Sequence, residues 1–334
     1  MNLDFHKDHR LLYGVVFFGF ICLTFIIAIG PALWVQDHNK PLPGSKPLTE
    51  QQRRGLNIYV EEGCLYCHTQ QVRPLDVDKP FGRPSAPGDY ARLRPQDLWR
   101  MTPELLGTER NGPDLSNVAN RQPSETWNYI HLYNPRAVVK ASVMQAYHWL
   151  FRVKKNPGAD DIVVPVPAAY APSGGKVVAT ERAKDLVAYL MSLKQVPVSG
   201  SKAASSQAPA PGKHEEGTAK GASLYAAHCA SCHQSDGEGT PGVFPPLKGD
   251  PVVTAADPTR HIEIVLTGLK GKTINSVKYP AAMPAHEDSM TDAQIAAAVN
   301  HERTSWGNNA PTVTEEDVAK VRAKEEKEEK EGHH

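Results

Sequence analysis

Two cysteines spaced by two residues and followed at once by a histidine occur twice, as Cys64-Leu65-Tyr66-Cys67-His68 and as Cys229-Ala230-Ser231-Cys232-His233. This is the C-x-x-C-H pattern of covalent haem attachment. Each thiol adds across one vinyl group of the macrocycle, and two intervening residues match the span between the vinyls. The adjacent histidine is then held beneath the iron as its proximal ligand. One copy would also suit a zinc knuckle or a redox dithiol. Two copies, each with its histidine and each opening a region of similar size, predict two covalently bound haem c groups. One is held by Cys64, Cys67 and His68, the other by Cys229, Cys232 and His233.

A histidine on one side of the iron leaves one coordination position. Methionine there raises the reduction potential and suits electron transfer, whereas an open position suits gas binding or catalysis. In the second region Met283 precedes Pro284 in YPAAMPAHEDSM, in a loop ahead of the last amphipathic stretch. It is preferred to Met290, which belongs to the start of that helix. In the first region the candidates are Met101, Met144 and Met191, with His131 and His148 as outsiders. Met191 falls on an apolar helical stripe and Met101 at the end of a Pro/Arg-rich stretch. Met144, in ASVMQAYHWL after an Asn-Pro turn, is the predicted ligand. Two proline turns follow the motifs, Gly112-Pro113-Asp114-Leu115 and Pro245-Pro246-Leu247. A carbonyl in each can accept the second ring N–H of the proximal histidine and fix its orientation.

The elements that must position these residues are legible around them. Leu11–Val35 carries no charge. Its part before Pro31 is about 20 residues, or roughly 30 Å as a helix, the thickness of a bilayer core. A signal peptide has a shorter apolar core and a small-x-small cleavage site. This run is longer and ends on Trp34, an interfacial anchor, so it is read as an uncleaved transmembrane anchor. Thr49 and Gln52 form a capping box opening a helix that carries Gly55 and Tyr59 toward Cys64. Gly221 and Tyr225 repeat that lead-in before Cys229. A glycine on one helical face lets a second helix cross closely. The partners expected are Arg182–Lys194 and Thr291–Trp306, whose apolar stripes are core.

The chain therefore divides into a cytoplasmic N-terminus (1–10), the anchor (11–35), a first haem domain (36–196), an Ala/Ser/Pro linker (197–214), a second haem domain (215–310) and a charged tail (311–334). The Pro/Arg/Asp-rich run from Gln71 to Pro103 reads as an ordered surface excursion, and residues 315–331 as a solvated tail or frayed helix. The fold class expected is mainly α: one N-terminal transmembrane helix plus two all-helical haem domains. Thirty-seven basic and 37 acidic residues leave no net charge, so no basic face marks a nucleic-acid partner. Lys248, Lys270, Lys272 and Lys278 read as scattered solvated lysines, and His333 and His334 as a solvated end. Of five cysteines four lie in the motifs, which excludes a disulfide framework. The fifth, Cys22, sits in the apolar run as a small hydrophobe. Haem is attached outside the cytoplasmic membrane, so the haem domains belong on the periplasmic side of a bacterial inner membrane.

Residues from the anchor to about 195 resemble the membrane-anchored mono-haem subunit of cbb3-type cytochrome c oxidase, through YVEEGCLYCHTQQVRP, RNGPDLSNVANR and HLYNPRAVVKASVMQAYHWL. Residues 215–310 resemble a class I cytochrome c, through GASLYAAHCASCH, FPPLKGD, YPAAMP and TDAQIAAAVNHERTSWG. The first resemblance implies that Met144 is an axial ligand, although the family has Met-Pro where this chain has Met144-Gln145, and an acidic residue where it has Asn134. It further implies an electron-delivery subunit with a membrane-embedded haem-copper catalytic partner. A soluble cytochrome c or cupredoxin would be the donor. The second haem domain, normally on a separate subunit, is fused here. The rival readings are a cytochrome subunit of a nitric oxide reductase or of a periplasmic dehydrogenase, and a di-haem peroxidase.

Overall fold

The computed structural model of the chain describes residues 7–38, 40–90, 107, 109–196, 216–269, 271, 273–274, 277–287 and 289–331. Met101, Lys270, Lys272, the linker 197–214, His333 and His334 lie outside the described residues. The chain forms two compact units, Met1–Pro47 with Ala86–Thr102, and Leu48–Ser85 with Pro103–His334.

In the first unit α1 (His9–Thr24) runs through a π-helical turn, Phe25–Ile29, into α2 (Gly30–His38). Asp8 caps the start, its Oδ1 accepting from the Arg10 and Leu11 N–H groups at 3.0 and 3.1 Å. The π turn abuts Pro31, which has no N–H to continue the ordinary ladder. His9–Val35 is, among the described residues, the one helix long and apolar enough to cross a membrane, with mean hydropathy 2.6 and none of its span buried.

In the second unit the region around the first motif is built on α3 (Glu50–Glu61), α4 (Glu125–Tyr133) and α5 (Glu181–Ser192). The capping box of Thr49 and Gln52 starts α3 as expected. The crossing of α3 and α5 also falls where the sequence placed it. A Cβ on Gly55 would lie 1.9 Å from the Asp185 carbonyl oxygen and 2.7 Å from Tyr189 Cβ. Arg54 locks the crossing, its Nε and a terminal nitrogen donating to both Asp185 oxygens at 2.8 and 3.0 Å. Leu56, Tyr59, Ile130, Leu186, Val187 and Tyr189 form the core beneath.

The mainly helical class holds, but "all-helical" is too narrow for the first domain. Strands β1 (Phe151–Lys154), β2 (Val163–Val164) and β3 (Lys176–Ala179) pair antiparallel in the order β1-β3-β2. One face buries Phe151, Val164, Val177 and Ala179. These strands are too short for an alternating pattern to stand out in sequence.

Around the second motif lie α6 (Glu216–His228), α7 (Thr259–Thr267), α8 (Asp292–Thr304) and α9 (Glu315–Glu331), with a short antiparallel ladder of β4 (Thr273–Ile274) and β5 (Val277–Lys278). Gly221 repeats the role of Gly55: a Cβ there would lie 2.4 Å from the Ala297 carbonyl oxygen on α8. The expectation of a solvated tail needs correcting. α9 buries Val318 and Val321 in one core with Ile262, Leu266, Ile295 and Val299. Arg322 pins it, its Nε donating to Asp292 at 2.7 Å and its terminal nitrogens to the carbonyls of Glu287 and Met290. The buried valines and the Arg322 hydrogen bonds add to the helix's own backbone hydrogen bonds in holding it on the core.

Candidate haem sites

Each motif follows directly on a helix that the glycine crossing fixes. Cys64–Tyr66 forms a 3-10 turn after α3, and residues Ala230–His233 a short helix after α6. One residue more separates Gly55 from Cys64 than Gly221 from Cys229. The left-handed Gly63, φ 72°, takes up the difference. Tyr59 and Tyr225 then reach beyond the motifs. Tyr225 Oη donates to the Gln234 carbonyl at 2.6 Å, and Tyr59 makes a longer contact, 3.5 Å, to the His68 carbonyl.

The two histidines are held alike. His68 Nδ1 lies 2.8 Å from the Pro113 carbonyl oxygen and His233 Nδ1 lies 2.9 Å from that of Pro245. A carbonyl oxygen only accepts, so each Nδ1 carries the proton and each Nε2 is the nitrogen able to bind a metal. The proline turns act as the sequence suggested. Gly112 is part of the fit, because a Cβ there would fall 2.2 Å from His68 Cε1. Burial holds His68 below the usual imidazole value, against the opposing pull of the Pro113 hydrogen bond.

The turn that supplies Pro113 is tied to the segment after the first motif by charges that the sequence reading had left on the surface. Asp78 is fully buried and accepts from Arg73 at 2.9 and 3.0 Å and from Arg110. Arg110 also donates to Thr69 Oγ1 and to the Gln71 carbonyl. Asp114, equally buried, accepts from Thr69 Oγ1 and from the Gln71 and Ser116 N–H groups. Alternating Arg and Asp in a proline-rich run was the only signal of this network.

The second motif opens on a cleft with mainly apolar walls, lined by Cys229, Cys232, His233 and Met283, as cofactor sites commonly are. Met283 is placed by two backbone hydrogen bonds with Leu269, 2.7 and 3.1 Å. Beside them Gly268 (φ 79°) lets the loop pass, since a Cβ there would meet the Met283 carbonyl at 2.5 Å. Met290, the rejected candidate, is buried in the core. Glu302 and His261 also face the cleft and are buried together, His261 Nε2 2.8 Å from the carboxylate. His228 Nδ1 and His261 Nδ1 are buried without a protein partner. Burial, then the neighbouring His286, pushes His228 down to about 4.

Around the first motif the structure brings the Met144 loop toward the cysteines. Tyr147, three residues on, is buried beside Cys64, close enough to act on the thiol. Met144 itself is half-buried, and its N–H donates to Ser142 Oγ at 3.3 Å. His148 is exposed and packs against Tyr133, 4.7 Å between ring centroids. Met191 is half-buried on α5.

Burial pushes Cys64 and Cys232 up to about 12, and Cys229 well above its ordinary value, so these thiols sit protonated in an apolar setting. Together with the apolar cleft, the orphaned ring nitrogens of His228 and His261 and the two Nδ1-bonded proximal histidines, these residues fit covalently bound haem.

Paired helical regions of this kind, each crossing on a glycine above a proline-oriented histidine, define a c-type cytochrome. Residues 5–164 match the family described as Cytochrome C oxidase, mono-heme subunit/FixO, and residues 218–306 match cytochrome c. The chain is similar to cytochrome c-552 of Thermus thermophilus, 39% identical over 115 residues, which are 32% of this chain and 86% of that protein. It is also similar to the cytochrome c subunit of the quinone alcohol dehydrogenase of Gluconacetobacter polyoxogenes, 45% identical over 103 residues. The gluconate 2-dehydrogenase cytochrome c subunit of Pantoea cypripedii is 40% identical over 107. These matches cover 30% and 31% of this chain and only 22% and 24% of the two dehydrogenase subunits. The chain belongs to the cytochrome c family, with a FixO-type first part joined to a second cytochrome c domain. Its cofactor is covalently bound haem c and its work is electron transfer.

Proposed function

We propose that this chain is the di-haem electron-delivery subunit of a respiratory haem-copper oxygen reductase of the cbb3 type. The reading rests chiefly on the match of residues 5–164, which takes in the apolar helix and the first motif, to a mono-haem oxidase subunit. Each haem supplies an iron that gains and loses one electron without rearranging bonds. The protein holds the first through Cys64, Cys67, His68 and Met144, and the second through Cys229, Cys232, His233 and Met283. Pro113 and Pro245 fix the two imidazoles, and the buried walls keep water from the second site. Histidine and methionine on opposite sides suit both sites to electron transfer. Electrons enter from a soluble periplasmic cytochrome c or cupredoxin at the second domain. They pass to the first and leave to a membrane-embedded catalytic subunit. The helix His9–Val35 anchors the chain in the inner membrane with its cytochrome domains on the periplasmic side.

A second reading has its own observation. The similarity of about a third of the chain to dehydrogenase cytochrome subunits suits a chain that takes electrons from a substrate-oxidising enzyme. Purification of the intact complex from native membranes, with oxygen and nitric oxide consumption assayed on reduced cytochrome c, separates these. Oxygen uptake with co-purifying b-type haem and copper is the expected result. Nitric oxide turnover alone would assign a nitric oxide reductase. A substrate-oxidising partner with neither activity would overturn the oxidase reading.

A further inference from the structure

The second cysteine motif is not free on all sides. Ser231, between Cys229 and Cys232, meets the first cytochrome domain. Trp127 Nε1 donates to its carbonyl at 2.9 Å and Gln122 Nε2 to its hydroxyl at 2.5 Å. The Ser231 hydroxyl in turn lies 3.9 Å from the Cys232 sulfur. Gln234, just past the motif, reaches the Val138 carbonyl at 3.5 Å. The tryptophan is placed by α4, whose first turn Ser124 caps through the Trp127 N–H at 3.2 Å.

On α4 one turn further, His131 stacks flat on the Trp127 indole, 4.5 Å between centroids and 13° between planes. Residues four apart on a helix share a face, so the stack is built into the sequence spacing. The His131 ring nitrogen Nδ1 is buried with no protein partner. Burial, and then His68, pushes this imidazole down to about 3. It is neutral at pH 7. Arg121, just ahead of α4, donates a terminal nitrogen to the Asp114 carbonyl at 2.6 Å, beside the Pro113 carbonyl that orients His68. Gln122, the next residue, reaches the second motif at Ser231. One short segment of the first domain therefore touches the surroundings of both motifs.

We infer that the Trp127–His131 stack is the electronic contact between the two haem sites, reached from the second cysteine pair through Ser231. This rests on the di-haem reading above. One electron leaves a ferrous haem in the second domain and reduces a ferric haem in the first. No bond forms or breaks and no proton moves. Trp127 and His131 are not themselves oxidised. They replace a solvent gap with packed π-systems and hydrogen-bonded atoms, across which electronic coupling decays less steeply than through water.

The test uses the full-length, haem-loaded chain in mild detergent. One electron is injected by a photogenerated flavin semiquinone, and re-equilibration between the haems is followed optically. Potentials are titrated on the same samples. Trp127→Leu and His131→Leu are expected to slow re-equilibration several-fold with both potentials unchanged. Trp127→Phe, which keeps a ring but loses the N–H, is expected to fall between them and the parent. Hydrogen exchange of the backbone across residues 229–234 gives a second readout, expected to quicken in Trp127→Leu. Wild-type rates in Trp127→Leu and His131→Leu, with two haems per chain, would overturn the inference and leave the proposed function standing. Should Trp127→Leu fail to fold, Trp127→Phe and His131→Leu decide in the same way. One haem per chain in the parent protein would overturn the di-haem reading, and the inference with it.

Discussion

A carbonyl oxygen beside a ring nitrogen decides a histidine's tautomer, and the two proximal candidates show that decision made twice by proline turns. The ligand opposite each is a methionine by proposal, and substitution tests it residue by residue. Met283→Leu should convert the second haem from low to high spin and lower its potential, because a thioether ligand favours the ferrous state. Met144→Leu should do the same at the first haem, while Met191→Leu leaves both spectra unchanged. A potentiometric titration with both haems resolved reads all three. Asp78 allows a separate prediction. Arg73, then Arg110, holds its buried carboxylate far below the usual range. Folding thus favours the ionised form. That stability is complete above the unfolded-state value of about 3.9 and is lost as pH falls through the folded-state value. The melting temperature of the first domain should drop in acid below about pH 4. Asp78→Asn should lower it at neutral pH and flatten this acid limb. An acid limb identical in variant and parent would place the sensitivity elsewhere.

Among the elements, the two helix crossings carry the architecture. Gly55 and Gly221 each stand where a Cβ would collide with a carbonyl oxygen of the partner helix. Backbone cannot move aside as a flexible side chain can, so Gly55→Ala and Gly221→Ala should each cost at least about 1–3 kcal/mol, seen as a lower denaturant midpoint. These crossings were readable because a glycine four residues before a tyrosine, ahead of each motif, has no good helical reason except close approach. The proline turns were readable for a similar reason, since metal-bound histidines need a second-shell acceptor. What stayed hidden obeys weaker local signals. The β1-β3-β2 sheet uses strands of two to four residues. Helix α9 hides Val318 and Val321 inside a Glu/Lys run, where composition speaks for solvent and only tertiary contact reveals the buried face. Val318→Asp should accordingly lower the denaturant midpoint of the second domain, whereas Lys320→Asp, on the exposed side, should leave it unchanged. A solvated tail would tolerate both.

For the whole molecule, attachment of haem and placement in the cell are one question. Covalent haem c is added where the thiols meet the maturation machinery, outside the cytoplasmic membrane, so the proposed topology makes the helix His9–Val35 both anchor and export route. Its exposed face is apolar throughout, with Phe17, Phe20, Ile26 and Ile27 more than 60% exposed, and lipid is the solvent that such a surface requires. The buried cores described above are built from residues of the other unit. Replacing residues 1–35 with a cleaved export signal should therefore yield a water-soluble protein that still binds haem covalently at both motifs and melts near the parent temperature. Removing the same residues without supplying a signal should leave free thiols and no covalent haem, because the chain stays on the cytoplasmic side. Haem staining after denaturing electrophoresis, with mass spectrometry to count the groups, reads both. Covalent haem in the signal-less variant would break the link between export and maturation, and the periplasmic orientation would fall with it.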